Sequence, residues 1–369
     1  MLGLLPPEAA HELALRALQV AGGAPRALGM LDDRLGAHDP RLRVRALGLT
    51  FPSPLGLAGG LDKRLVAFRT LAALGFGFVE VGTVTALAQA GNARPRLHRL
   101  PADRALINSM GFPNPGADRA ARRLSRDRGA RAGEDRYGSR TGDQPGAGAW
   151  RVPVAVNIGR SRAATDVHAD YRASARRLAH LADLLVLNVS SPNTTGLRDM
   201  QALDSLGELV AAVRSELASL AAPPPLLVKI SPDLPDEQIG AIGRSAGELG
   251  IDGIVAVNTT TARTGLAGSP SLAGRPGGLS GPPLRARALE VLRLLRAAAD
   301  ERVVLVSVGG LETATDALER IRAGATLVQA YTGFVYGGPL WPSRLNRELS
   351  ALVRAAGAET IQELVATGA

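Results

Sequence analysis

The sequence predicts an α/β protein, a closed (β/α)8 TIM barrel with a small N-terminal helical extension. Three observations carry that prediction. Eight apolar runs of strand length recur along the chain, helical patterns separate them, and 369 residues accommodate one barrel of about 250 residues with additions. The runs are Leu55–Gly60, Phe76–Val84, Val152–Gly159, Leu184–Ser191, Leu226–Ser231, Gly253–Thr260, Val303–Gly310 and Leu327–Gly333. Buried parallel strands read as continuous apolar runs of this kind. The stretches between them include helical patterns at Ala164–Leu181, Gln201–Leu220, Pro235–Leu249, Pro283–Ala299 and Thr313–Ala323. Strands each followed by a helix favour a closed barrel, with an open doubly wound sheet as the alternative.

Two pieces stand outside the alternation. Residues 1–36 hold a short helix near Glu8–Val20, started by Pro6-Pro7, and a second near Arg26–Leu35. Leu13, Ala17, Leu18, Leu28 and Leu31 give this extension an apolar surface, which suits either a cap packed on the barrel or a lid facing a membrane. Residues 37–369 supply the barrel. Within them Ser125–Trp150, rich in Gly, Arg and Pro, reads as an insertion.

Composition narrows the function. The chain is 46% hydrophobic but only 3% aromatic, so Leu, Val and Ala must build the core. It has no cysteine, which excludes disulfides, zinc–thiolate sites and a cysteine nucleophile; no metal site is expected. The net charge of +9 would suit nucleic acid or an anionic membrane. Eight arginines, however, fall between Arg119 and Arg140, in a segment poor in large apolar residues, so a solvated loop accounts for much of the excess and no nucleic-acid partner is expected. No run of about 18 apolar residues marks a spanning helix. Met1–Leu5 lacks the basic start of a secretory signal. The expected place is the cytoplasm or the cytoplasmic face of a membrane.

In (β/α)8 enzymes, the site forms at the carboxyl ends of the strands. Of 43 basic residues only Lys63 and Lys229 are lysine, and both fall at such ends: Lys63 just past the first strand and Lys229 within Leu-Leu-Val-Lys-Ile of the fifth. A lysine in a buried strand needs a partner, which could be an anionic cofactor. Asn157, Asn188 and Asn258 each end an apolar run, Asn193 follows in a loop, and Asn108 closes the short run Ala105–Asn108. Amides offer donors and acceptors together, which suits cyclic ureides, pyrimidines and flavins. Gly309-Gly310 after the seventh strand, with Gly277-Gly278, Gly281 and Tyr331-Thr332, points to a phosphate-bearing cofactor such as FMN.

Several segments then carry a specific resemblance: LGLAGGLDK at 55–63, VEVGTVT at 79–85, NVSSPNTTGLR at 188–198, VKISPDL at 228–234, NTTT at 258–261, GGLSG at 277–281, SVGGL at 307–311 and LVQAYTGF at 327–334. In order and spacing the chain resembles the dihydroorotate dehydrogenases. The resemblance implies oxidation of dihydroorotate to orotate in de novo pyrimidine (UMP) biosynthesis, with FMN as hydride acceptor. It implies that Gly59, Gly60, Lys63, Thr83, Asn157, Asn188, Lys229, Val257, Gly281, Gly310, Tyr331 and Thr332 hold FMN. It assigns Lys63, Asn108, Ser109, Met110, Gly111, Phe112, Asn188, Asn193, Asn258 and Thr259 to the substrate. Ser191 would be the base, Thr194 and Phe112 would belong to its proton relay, and Lys229 would stabilise charge on the reduced flavin. One type in this family uses a cysteine base and soluble acceptors. The other uses serine, carries an N-terminal helical extension and reduces quinone. Ser191, the absence of cysteine and the opening LPPEAAHEL at 5–13 match the second, implying a membrane quinone, peripheral membrane association on the cytoplasmic side, and His11, Arg99 and Tyr331 lining the quinone's path. The chain departs from the family pattern at Ser109, where arginine is usual, at Val257, where threonine is common, and at His98, where phenylalanine is common. Two rivals fit less well. A dihydrouridine synthase would call for a cysteine acid, and a noncatalytic basic barrel leaves the lysines and asparagines unexplained.

Overall fold

The computed structural model describes residues 5–130, 152–194, 196–268 and 274–365. The chain opens with helices α1 (Pro7–Gly22) and α2 (Pro25–Leu35), then a hairpin of β1 (Val44–Ala46) and β2 (Leu49–Phe51). The barrel starts with β3 (Leu55–Leu57), α3 (Phe68–Ala73) and β4 (Phe78–Val84). Strands β5 (Leu97–Leu100) and β6 (Ala105–Asn108) then leave it before α4 (Ala117–Ala130). The alternation resumes as β7 (Val154–Ile158), α5 (Val167–Leu178), β8 (Leu184–Asn188), α6 (Leu203–Leu217), β9 (Leu226–Ile230), α7 (Asp236–Ser245) and β10 (Gly253–Ala256). After β11 (Gly278–Ser280) come α8 (Arg285–Ala298), β12 (Val304–Val308), α9 (Ala314–Arg322) and β13 (Leu327–Ala330). Helices α10 (Thr332–Gly337) and α11 (Trp341–Ala355) end the alternation.

The eight predicted strands close into one parallel barrel in the order β3-β4-β7-β8-β9-β10-β12-β13, and β13 pairs back on β3. Ladder partners such as Val255 with Lys229 and Ser307 with Ala256 fix its register. The strands are shorter than their apolar runs. Val257–Thr260, for example, leaves the ladder after Ala256 and turns into the barrel mouth. Strand-end residues facing a ligand cavity read as apolar or polar for reasons of the site, so hydropathy misplaces the end of the ladder.

Beside the mouth, β5, β6 and β11 form a small antiparallel sheet. Strands of three or four residues give no usable periodicity, and neither this sheet nor the β1–β2 hairpin is predicted from the sequence.

One expectation needs correction. The proposed insertion at 125–150 starts too early, because α4 runs through Ala130 and only 131–150 remain, outside the described residues. Ala117, Ala120, Ala121 and Leu124 recur at helical spacing on its inner side, which carries the helix past Ser125. The extension, in turn, is stapled by charge as well as by apolar packing. Glu8 meets Arg96 at 2.8 Å and Arg94 at 3.1 Å, Glu12 meets Arg94 at 2.9 Å, and Thr70 Oγ1 donates to the Leu18 carbonyl at 2.7 Å. Arg96 is buried and also donates to the Ala90 and Asn92 carbonyls, so α1 is tied to the segment that leads into β5. Among the described residues no helix is long and apolar enough to cross a membrane.

Candidate active site

The carboxyl ends of the strands open into a cavity walled also by α1 and by the small sheet of β5, β6 and β11. Its chemistry is built from the barrel axis outward.

At the floor lies Glu80, fully buried in β4, a strand buried along its whole length. A buried carboxylate must be surrounded by donors. Three other strands supply them: Asn157 Nδ2 at 2.6 Å, Gln329 Nε2 at 2.8 Å and Lys229 Nζ at 3.2 Å. Gly59 makes room for this cluster, since a Cβ there would lie 2.4 Å from Glu80 Oε1. A carboxylate only accepts, so Asn157 must turn its NH2 to Glu80 and keep its oxygen for Asn188 Nδ2, 3.3 Å away. Asn188 Oδ1 then receives Asn258 Nδ2 at 3.3 Å. Glu80 thus orients a chain of three amides that ends at the cavity wall. Gln329 Oε1, also buried, has no partner among the described residues, and its residue lines the cavity.

Nearer the mouth, Ser191 Oγ accepts from the Asn193 N–H at 3.3 Å, and Asn193 Nδ2 reaches the Asn108 carbonyl at 3.1 Å. These contacts join the loop after β8 to the end of β6. Asp233 joins three loops: it pairs with Arg198 at 2.9 Å and accepts from Thr260 Oγ1 and from the Thr261 N–H and hydroxyl, both at 2.8 Å.

On the side of the extension, Lys63 and His11 share the wall. Burial, reinforced by Arg96 and opposed by Glu8 and Asp62, brings Lys63 down to about 8. Burial, then the Lys63 charge, brings His11 down to about 4 against the pull of Glu8, so the imidazole is neutral at physiological pH. Burial pushes the Tyr331 phenol up to about 12. A cationic amine, neutral imidazole, serine hydroxyl and amide ring in one cavity suit a small anionic, amide-containing ligand.

The family model for dihydroorotate dehydrogenase matches residues 41–353. The chain belongs to the dihydroorotate dehydrogenase family. It is therefore an enzyme, an oxidoreductase. It is 50% identical over 363 residues to the dihydroorotate dehydrogenase (quinone) of Thermobifida fusca, covering 97% of this chain and 92% of that one. It is 51% identical to the protein of the same description from Leifsonia xyli subsp. xyli, over 95% of this chain and 97% of that one. Its fold is similar to the crystal structure of the Eimeria tenella DHODH in complex with ferulenol. The TM-score is 0.86 at 36% identity, covering 98% of this chain and 95% of that one.

The cavity gathers most of the residues that the sequence singles out. Gly59, Gly60, Lys63, Thr83, Asn188, Lys229, Val257, Gly281, Gly310, Tyr331 and Thr332 all line it. So do Asn108, Met110, Gly111, Phe112, Ser191, Asn193, Asn258, Thr259 and His11. Four singled-out residues are not on the wall. Asn157 lies one layer down, against Glu80. Ser109 holds its backbone to Arg96 and Asn92, and Thr194 sits beyond Ser191 in the loop, its carbonyl accepting from Leu197. Arg99, expected beside His11 and Tyr331, instead donates to the Leu5 carbonyl at 2.9 Å and so ties down the start of the extension. Sequence reasoning missed Glu80 and Gln329, although a signal existed: each interrupts an apolar strand, as Lys229 does. The buried partner that Lys229 requires is a protein carboxylate, Glu80, while Lys229 also lines the cavity.

Proposed function

We propose that this chain oxidises dihydroorotate to orotate in pyrimidine biosynthesis, with FMN as its cofactor and a membrane quinone as terminal acceptor. One observation carries the reading: Ser191 and four asparagine amides face the same cavity as Lys63, while Lys229 and two glycine loops line its other wall. Bound FMN supplies the hydride acceptor. The cavity fits such a group, because Gln329 Oε1 and the N–H groups of Gly310 and Leu311 lack partners among the described residues.

The residues divide the work by chemistry. Lys63 is the cation for the substrate carboxylate. Asn108, Asn188, Asn193 and Asn258 match the alternating C=O and N–H edges of the ring. Ser191 Oγ takes a proton from one ring carbon as hydride leaves its neighbour, and the carbon–carbon double bond forms between them. A serine has a very high intrinsic pKa, so the proton must pass on, and Thr194 in the same loop is assigned that role. Lys229, held by Glu80, keeps positive charge at the cavity floor.

The test is direct. Under anaerobic conditions dihydroorotate should bleach the flavin absorbance of the purified protein, and a quinone should restore it. A colourless protein, or a flavin that dihydroorotate leaves oxidised, would refute the proposal. Substrate affinity should also depend on pH. With Lys63 near 8 in the free site, the ammonium is present below that pH and lost above it. Dihydroorotate Kd should be flat at pH 6–7 and rise towards roughly tenfold per unit above pH 8. Lys63→Met should weaken binding and flatten that dependence. An unaltered chain with constant Kd to pH 10 would place the carboxylate elsewhere.

The extension is proposed to sit on the cytoplasmic face of the membrane and admit the quinone. Leu13 and Val20, two turns apart on one side of α1, are 51% and 77% exposed, and Met30 on α2 is 57% exposed. His11 carries this apolar piece to the cavity wall, where Tyr331 also lies. Replacing Leu13, Val20 and Met30 together with serine should lower vesicle binding about tenfold or more. Turnover with a vesicle-borne long-tailed quinone should fall with it, while flavin reduction and turnover with a soluble dye persist. Equal loss towards both acceptors would leave the extension as packing.

A further inference from the structure

Five residues follow β12 from Gly309 to Thr313, the first three line the cavity, and the peptide groups of the stretch are sorted by direction. The Gly309 carbonyl accepts from Arg320 Nη2, and Arg320 Nη1 donates to Ser307 Oγ at 2.7 Å. The Gly310 carbonyl accepts from Arg285 Nε at 3.1 Å. The Glu312 carbonyl accepts from the Trp341 indole at 2.8 Å. The N–H groups of Glu312 and Thr313 both go to Asp316 Oδ2 at 2.9 Å, and Arg285 Nη2 meets the same oxygen at 3.1 Å. Carbonyls and carboxylate are therefore engaged on the helix side.

A trans peptide points its N–H opposite to its C=O. Drawing back the Gly309 carbonyl turns the Gly310 N–H the other way, and drawing back the Gly310 carbonyl does the same for the Leu311 N–H. These two N–H groups have no acceptor among the described residues, and Gly309, Gly310 and Leu311 all line the cavity. The turn needs left-handed backbone at both glycines, with φ of +116° and +71°. At Gly310 space is also closed, since a Cβ would lie 2.6 Å from Arg285 Cα. Across the cavity, Thr332 Oγ1 donates to Ser280 Oγ at 2.8 Å, which fixes the facing loop. Successive N–H groups presented by left-handed turns make an anion-binding concavity. Arg320 is fully buried and Arg285 partly so, and neither reaches the cavity wall.

We propose that Arg285 and Arg320 are positioning residues for the cofactor's phosphate: by holding the Gly310 and Gly309 carbonyls they aim two N–H donors at it. This rests on the FMN reading above. The full-length chain, stripped of flavin, is titrated with FMN and separately with riboflavin, which shares the ring and ribityl chain but has no phosphate. The unaltered chain should prefer FMN strongly. Arg285→Met, at a half-exposed position that tolerates the change, should raise the FMN Kd about tenfold or more while the riboflavin Kd moves less than twofold. Arg320→Lys, which keeps the charge but loses the fork that spans Ser307 and Gly309, should act in the same sense. Equal weakening of both flavins, or no weakening of FMN, would overturn the positioning role while leaving the cofactor reading intact. An unaltered chain that binds neither flavin, or does not distinguish them, would overturn both.

Discussion

Ser191→Ala is expected to slow reduction of the flavin by dihydroorotate by roughly two to four orders of magnitude, the range for losing a general base. The loss should fall on that step alone. Ser191 is buried, and its hydroxyl accepts one backbone N–H, from Asn193. The asparagine side chains around it keep their own bonds: Asn193 to Asn108, and Asn258 to Asn188 and Ser190. Substrate and cofactor affinity should therefore change little, while the first-order rate of anaerobic bleaching collapses in a rapid-mixing experiment. Raising the pH should not restore it, because alanine has no proton to lose. Reduction within a few-fold of the unaltered rate at neutral pH would show that the proton leaves by another group.

The second large effect is expected at Lys229. Lys229→Ala leaves Glu80 fully buried with its two amide donors but no counter-charge, and breaking a buried pair costs about 3–5 kcal/mol. Lys229→Arg should be nearly as harmful. The ammonium shares Glu80 Oε1 with the Asn157 amide, and a flat guanidinium on a longer stem cannot take that place without displacing the amide. A pair of changes separates stability from chemistry. Glu80→Gln with Lys229→Met removes both charges at once and should regain much of the denaturation midpoint lost by Lys229→Ala. It should not regain flavin binding or reduction, because the floor then has no cation. If the double variant recovers reduction, Lys229 serves the fold alone. If Lys229→Arg retains both the midpoint and the reduction rate, the scarcity of lysine in this chain carries no message about the site.

Much of this was legible in the sequence. Period and length gave the eight strands, because buried parallel strands must be apolar along their whole length. The two lysines and the strand-end asparagines stood out against an arginine-writing, amide-poor chain, and their positions at carboxyl ends pointed to one mouth. The Ser191 segment and the opening LPPEAAHEL match the serine-using, quinone-reducing type within the family.

What the sequence could not settle was direction. Glu80, Asn157, Lys229 and Gln329 come from four different strands, up to 249 positions apart, and only closure of the barrel sets them round one carboxylate. That carboxylate, which can only accept, decides which way three amides face. In the same way, Arg99 and Ser109 read as wall residues along the chain, yet tertiary contacts turn Arg99 to the Leu5 carbonyl and hold the Ser109 backbone to its neighbours. Arg285 and Arg320 look like ordinary helix-surface cations until the fold lays α8 and α9 against the Gly309-Gly310 turn. Residue type and spacing are local properties, and they determined the elements and the chemistry on offer. The orientation of each polar group depends on donors and acceptors that are distant in sequence, so only the packed barrel decided it.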